Sequence, residues 1–346
     1  MKRKVIYLVL FAGLILAVAF SLGIGALQIP VKDVFLVFIR KAGLFKNIEV
    51  DAMYDGVITI VRLPRVLLGV LVGSALGVSG AAVQGVFRNP LAEPSLIGIS
   101  AGASLFAVLI IVLETVLFVS VSTLLGVYLL AFGAFLGACI AAFTVYQLSK
   151  TDGKPNVATM LLAGIAINAL AGALTGLVTY LSTEQELRTI TFWMLGSLGG
   201  ASWENVIALF CFVLLPLFIL PFLGKSLNAF SLGEIQAEQL GVRVNRVKLQ
   251  VIILATMAVG AAVAVSGVIG FVGLLVPHTM RLLGGADNRF VVPSSAIFGA
   301  LILTLADLVS RVIIAPIELP IGVITALIGT PMFLYILFKD KKKVLS

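Results

Sequence analysis

Residues 247–284 read "VKLQVIILATMAVGAAVAVSGVIGFVGLLVPHTMRLLG". About 20 apolar residues cross the hydrocarbon core of a bilayer, so this run is too long for one crossing. Ser266-Gly267, with Gly270 and Gly273 beyond, supplies a natural break. Whether the run is one helix or two decides the parity of the bundle. It therefore decides the side on which every later loop lies.

Composition places the chain in a membrane. Of 346 residues, 60% are hydrophobic and 12% are charged, against about 25% charged in soluble domains. Mean hydropathy is +1.17. The N-terminal Lys2-Arg3-Lys4 and the apolar run after it, up to Leu27, look like the start of a signal peptide. That run is longer than a typical signal core and lacks a small-residue cleavage site, so it reads as a first transmembrane helix. Further spans are expected near 62–87, 95–113, 117–148, 156–182, 205–224, 291–314 and 320–338. Splitting 247–284 gives ten, an all-α polytopic fold in one transmembrane domain over 1–346.

Charge supports the even count. Lys2, Arg3 and Lys4 at one end and Lys339, Lys341, Lys342 and Lys343 at the other both read as cytoplasmic. Ten helices add Arg88, Lys150, Lys154, Lys225, Arg243, Arg246, Lys248, Arg281 and Arg289 to that side, sixteen of the 24 Lys and Arg. Lys32, Arg40, Lys41, Lys46, Arg62, Arg65, Arg188 and Arg311 fall outside. Without the split, Arg281 and Arg289 would move outside and the bias would weaken. The net charge of +8 is thus explained by orientation, with no nucleic-acid partner.

The few polar stretches carry most of the information. Residues 88–105, "RNPLAEPSLIGISAGASL", contain Gly98-Ile99-Ser100-Ala101-Gly102, the spacing of a nucleophile elbow. That elbow needs a preceding strand and a base; prolines precede Ser100 here, and His278 is the only histidine. The stretch reads instead as a proline-fixed cytoplasmic turn entering a helix with a small face. The pairs Gly69/Gly73, Gly73/Gly77, Gly133/Gly137 and Gly172/Gly176 read as helix packing. Cys139 and Cys211 sit in apolar runs and imply neither a disulfide nor a metal site. His278, alone, reads as a core residue.

Residues 225–248, "KSLNAFSLGEIQAEQLGVRVNRVK", form the longest cytoplasmic connection. Ser231 is placed to cap a short helix, with Glu234 at the capping-box position. Ile235, Leu240 and Val244 oppose Glu234, Glu238 and Gln239, and Gly241 ends the helix. The acidic polar face favours a protein partner over a lipid surface. On the outer side, Arg62 and Arg65 bracket Leu63-Pro64, and Arg311 lies near the end of the ninth span. Two readings stay open for them: pairing with carboxylates such as Asp55 or Glu318, or docking an acidic partner. Asp307, the only carboxylate well inside a span, is a functional candidate by position, although a polar neighbour on another helix explains it equally well.

The sequence lacks a P-loop, so the chain does not hydrolyse ATP alone. A secondary carrier stays open, but scarce intramembrane charge and the polar cytoplasmic connection favour an external motor. "RLPR" (62–65), "ALGVSGAAVQGVFRNPLAEPSLIGISAGA" (75–103), "FWMLGSLGG" (192–200), "SLGEIQAEQLG" (231–241), "GFVGLLVPHTMRLLGGAD" (270–287) and "ELPIGVITALIGTPMF" (318–333) together resemble the FecCD-type permeases. These are membrane subunits of type II ABC importers for iron–siderophore complexes, haem and cobalamin.

The resemblance implies a bacterial plasma-membrane permease, not itself an enzyme. It would form a homodimer or pair with a paralogous permease around a central pore. Two cytoplasmic ATPases, holding ATP and Mg, and an outer or lipid-anchored binding protein would complete it. Arg62, Arg65 and Arg311 match family arginines that pair with glutamates of the binding protein. Ser231, Leu232, Gly233, Glu234 and Gly241 look like the coupling helices that fit the ATPase. Asn89 and Leu91 match a cytoplasmic gate. Asn156 and Val157 stand where the family's second cytoplasmic gate carries small hydroxyl residues. Thr183 looks like the periplasmic constriction. No cofactor or metal is implied for this chain. The implied cargo is an iron chelate, siderophore or haem, with cobalamin as the alternative.

Overall fold

The run 247–284 is broken where the glycines stand. In the computed structural model, which describes residues 2–25, 27–41, 51–114, 127–315 and 317–345, one helix ends at Ser266 and the next starts at Val272. Gly267 adopts φ 69°, a left-handed conformation that suits glycine. Phe271 caps the second helix with φ 68°, a conformation unusual for an aromatic residue.

In order, the elements begin with α1 (Lys2–Gly23), α2 (Val31–Lys41) and α3 (Ala52–Gly56). A π turn (Val57–Arg62) then runs into α4 (Leu63–Phe87). A 3-10 turn (Pro94–Ile97) leads to α5 (Ile99–Leu113), α6 (Val127–Leu148) and a hairpin of β1 (Lys150–Thr151) with β2 (Lys154–Pro155). There follow α7 (Val157–Tyr180), α8 (Glu184–Leu195), α9 (Trp203–Phe222), α10 (Gly224–Phe230) and α11 (Glu234–Gln239). The chain closes with α12 (Val244–Ser266), α13 (Val272–Gly284), α14 (Asn288–Val312) and α15 (Ile321–Leu345).

Among the described residues, seven helices are long and apolar enough to cross a membrane: α1, α3 through α4, α6, α7, α9, α12 and α14. Two shorter apolar helices, α5 and the start of α15, and the half-length α13 bring the bundle to ten crossings. The expected fourth span begins at Val127; its residues 117–126 lie outside the described residues, as does Lys46. The outer connection after α1 holds a helix that hydropathy did not reveal. In α2, Val34 and Val37 are buried against Ile58 and Val66.

The fourth helix is the axis of the bundle, buried along almost its whole length. Lipid tails compete with apolar side chains, so close backbone approach becomes the source of cohesion. A Cβ on Gly73 would collide with the backbone of Gly299, and one on Gly80 with that of Gly273. In the same way Gly137 faces Gly102. Gly172 and Gly176 differ from the expected packing role, because within 4 Å of their Cβ positions this chain places nothing.

Candidate gates, coupling segment and outer arginine cluster

The turn after α4 is built by local hydrogen bonds. Arg88 takes the left-handed conformation that ends the helix, and Asn89 Oδ1 accepts from the Leu91 backbone N–H at 2.9 Å. This side-chain turn is what Asn favours before a proline-rich segment. Leu91 is left exposed. Beyond it the chain folds back into the bundle. The Glu93 carboxylate accepts from Ser95 Oγ at 3.2 Å, and its side chain lies against Gly273 in the first turn of α13. A carboxylate at the start of α13 suits the positive end of its dipole.

With 13 residues, α13 is only about 20 Å long, so it starts at depth and the turn reaches in to meet it. Irregular backbone is tolerated there because protein surrounds it. Sequence reading missed this contact, and the lone Glu in an apolar setting was its signal. The turn also grips α7: Asn168 Nδ2 donates to Ser95 O at 3.0 Å. The other candidate gate residues lie at helix starts. Asn156 Oδ1 accepts from the N–H groups of Ala158 and Thr159, beside Val157. Thr183 Oγ1 accepts from Glu186 N–H in a reciprocal capping box at the start of α8. Ser100 follows a 3-10 turn, with no strand before it.

The candidate coupling segment departs from the expected capping. Ser231 closes α10, its Oγ donating to Asn228 O at 2.6 Å. The residue before α11 is Gly233, φ 117°, and makes no side-chain cap. A serine in helical backbone has no free helix start to cap, which overturns the Ser231–Glu234 box. Instead Glu234 Oε2 accepts from Lys248 Nζ at 2.7 Å, and the same ammonium donates to Pro155 O at 2.8 Å. Lys248 is 1% exposed; a buried ammonium needs such partners to offset its desolvation. One cation therefore ties α11, α12 and the β1–β2 hairpin together.

Of the three residues expected on the apolar face, two belong to this segment. Ala237 packs inward, whereas Leu232, Ile235 and Leu240 are exposed. Val244 belongs to α12 and is buried there. Gly241, φ 83°, ends α11 as expected. Behind this segment, Asp287 accepts from Arg3, Arg289 and Asn228 at 2.7–3.2 Å. The Arg289 guanidinium holds its carboxyl well below the usual range; partial burial opposes this, and Asn228 and Arg3 reinforce it.

At the opposite end the three arginines turn inward. Arg62, Arg65 and Arg311 are 5%, 8% and 6% exposed. Arg62 donates to the carbonyls of Leu22, Gly23 and Leu27, closing the C-terminal end of α1 whose carbonyls lack helical partners. Arg65 Nε donates to Asp307 Oδ1 at 2.9 Å, and its Nη1 to Glu318 Oε1 at 2.8 Å. Arg311 Nε lies 3.1 Å from Asp307 Oδ2, and its fork reaches Ser21. Within the chain Arg65 pairs with Asp307 and Glu318 and Arg311 with Asp307, whereas Arg62 is held by backbone carbonyls alone. Asp55 instead pairs with Arg40 and Lys41. Each guanidinium fork is thus occupied within the chain. Three arginines against two carboxylates leave the cluster positive.

Among the described residues, no group of three or more His, Cys, Asp or Glu is placed to hold a metal. His278 is buried in α13.

Comparison with known proteins agrees with this architecture. The chain is 46% identical to the hemin transport system permease protein HmuU of Yersinia pestis, over 85% of this chain and 86% of that one. It is 41% identical to the cobalamin import system permease protein BtuC of Halobacterium salinarum, over 81% and 73%. A solved inward-facing ABC transporter, assigned to the metal-chelate type, superposes with a TM-score of 0.82 at 32% identity, covering 97% of this chain and 99% of that one. These relatives are permease subunits, which are not themselves enzymes. The model of the FecCD transport family matches residues 13–339, and the chain belongs to that family.

Proposed function

We propose that this multi-pass permease carries an iron chelate, haem among the candidates, from an outer binding protein into the cytoplasm, driven by a separate pair of ATPases. The observation that supports the cargo is the similarity over most of its length to a permease named for hemin. The similarity to a cobalamin permease supports cobalamin as the second reading. Purifying the cognate binding protein and titrating it with haem, ferric siderophores and cobalamin decides between them. Selective binding of cobalamin would reject the iron reading.

Two copies surround the pore, or this chain and a paralogous one. The exposed face of α7, with Leu162, Ile165, Leu170 and Leu177 and the open Gly172 and Gly176, supports a helix of a second protomer there. Exposed Leu232, Ile235 and Leu240 support docking of the ATPase on the coupling segment, Ser231 to Gly241. Through Lys248, a shift of α11 passes to the hairpin that precedes Asn156 and Val157. Asn89 and Leu91 close the cytoplasmic mouth, and Thr183 narrows the outer one. ATP and Mg bind the ATPases, and the cargo is not chemically changed.

At the outer face, glutamates of the binding protein meet Arg62, Arg65 and Arg311. Glu318, 45% exposed on its pair with Arg65, occupies the place such a glutamate would take. Docking is then an exchange of one carboxylate for another.

A further inference from the structure

A groove of about 470 Å³ runs between α6, α9 and α12, within the roughly 300–1,000 Å³ range of small-molecule sites. Its walls are apolar. Phe135 and Phe212, with ring centroids 4.9 Å apart, close its deep end. Toward the cytoplasm it is bounded by Tyr146 on α6 and by Leu249 and Ile253 on α12.

Both walls lead to a cation. Lys150 stands two residues beyond α6, in β1, and its ammonium donates to Gln147 Oε1 at 2.7 Å. Its Nζ lies 4.9 Å from the Tyr146 ring centroid. Arg246 precedes Leu249 by three and Ile253 by seven, and it is exposed. The two cations belong to one end of the groove, because Lys248 Nζ binds Pro155 O and holds the hairpin against the start of α12. Neither Lys150 nor Arg246 makes an ion pair among the described residues. The sequence reading spent both on orientation alone.

We propose that this groove is a binding site for an anionic phospholipid of the cytoplasmic leaflet. One acyl chain lies between α6 and α12, and the phosphate sits between Lys150 and Arg246. Charge complementarity selects this occupant. Two juxtamembrane cations at the headgroup level above an apolar slot favour an anionic lipid over a zwitterionic one. A second protein's transmembrane helix would have no use for cations that lack a carboxylate partner at that level.

The test uses the full-length chain equilibrated with equal amounts of phosphatidylglycerol and phosphatidylcholine, with retained lipids counted by native mass spectrometry. Phosphatidylglycerol is retained in preference. Lys150→Gln with Arg246→Gln lowers the ratio of the two retained lipids by about thirtyfold, the expected effect of two juxtamembrane cations. Both positions are exposed, so folding is not at stake. Lys2→Gln, on the same membrane side, leaves the ratio unchanged, and Ile253→Trp, which fills the slot, removes both lipids. Equal retention of the two lipids in the parent chain would mean a greasy surface only. No retained lipid would point to a protein occupant. A preference that survives the double substitution or Ile253→Trp would place the lipid elsewhere. Each of these overturns the proposal.

Discussion

Arg65 at the start of α4 and Glu318 just before α15 form an ion pair of 2.8 Å at the outer face. The arginine is 9% exposed and the glutamate 45%. The pair is therefore asymmetric: the cation is fixed by Asp307 from below, and the anion is free to leave. If docking exchanges Glu318 for a partner's glutamate, Glu318→Gln removes the competitor. Exposed pairs contribute about 0.2–1 kcal/mol, so binding-protein affinity should rise by up to about fivefold. Surface plasmon resonance on the reconstituted permease measures it, and a weakened complex would count against the exchange.

Asp307 is the opposite case. It is 2% exposed and faces both Arg65 and Arg311. Removing one partner of a buried ionic cluster leaves uncompensated charge and costs about 3–5 kcal/mol. Asp307→Ala should lower the thermal unfolding midpoint in detergent far more than Glu318→Gln does. Equal, small effects of the two substitutions would mean that the buried cluster is not structural.

The Lys248–Glu234 pair should behave as a coupled unit. Glu234→Gln leaves the buried ammonium without its counter-charge, whereas Lys248→Met removes the charge altogether. The double variant should therefore be more stable than Glu234→Gln alone, and a double-mutant cycle on thermal stability should give a coupling of about 0.5–3 kcal/mol. Additive effects would dismiss the tie between α11 and α12.

These pairs also mark how far the sequence is legible. The break at Gly267 was readable because glycine density and charge parity pointed to the same place. Glu318 was readable as a partner for the arginines because it is close to Arg311 in sequence. Asp307 stood out, but its two arginine partners did not, since helix rotation is not encoded in hydropathy. Which side of α11 packs inward was not legible for a related reason. A six-residue helix has too few turns to define an inward face, and Ala237 is small enough to take that face alone. The approach of Glu93 to Gly273 joins residues far apart in sequence across a re-entrant turn, and no local pattern announces it.

Asp287 gives a pH signature. Its folded carboxyl is held well below the unfolded value of about 3.9, chiefly by hydrogen bonds from Arg289. A depressed pKa contributes stability that is fully present above the unfolded pKa and is lost as pH falls below about 4. The midpoint difference between the parent chain and Asp287→Asn should be constant from pH 8 to 5 and shrink below about pH 4. A gap that persists unchanged into acid would assign the stabilisation to the hydrogen-bond geometry of Asn228 rather than to charge.

Leu232 and Ile235 provide the last test, because their exposure has no use within this chain. They are 63% and 70% exposed on a segment anchored from behind by Lys248 and Ala237. Burying an aliphatic side chain at an interface contributes about 1.5–3 kcal/mol. Leu232→Glu with Ile235→Glu should therefore weaken ATPase binding at least about a hundredfold, while the fold stays intact because neither side chain packs inward. Circular dichroism checks the fold, and co-purification with the ATPase checks the binding. Retained ATPase with normal uptake would move the motor's contact away from this segment. Retained ATPase with uptake lost would keep the contact and assign these two residues to transmitting the stroke rather than to binding.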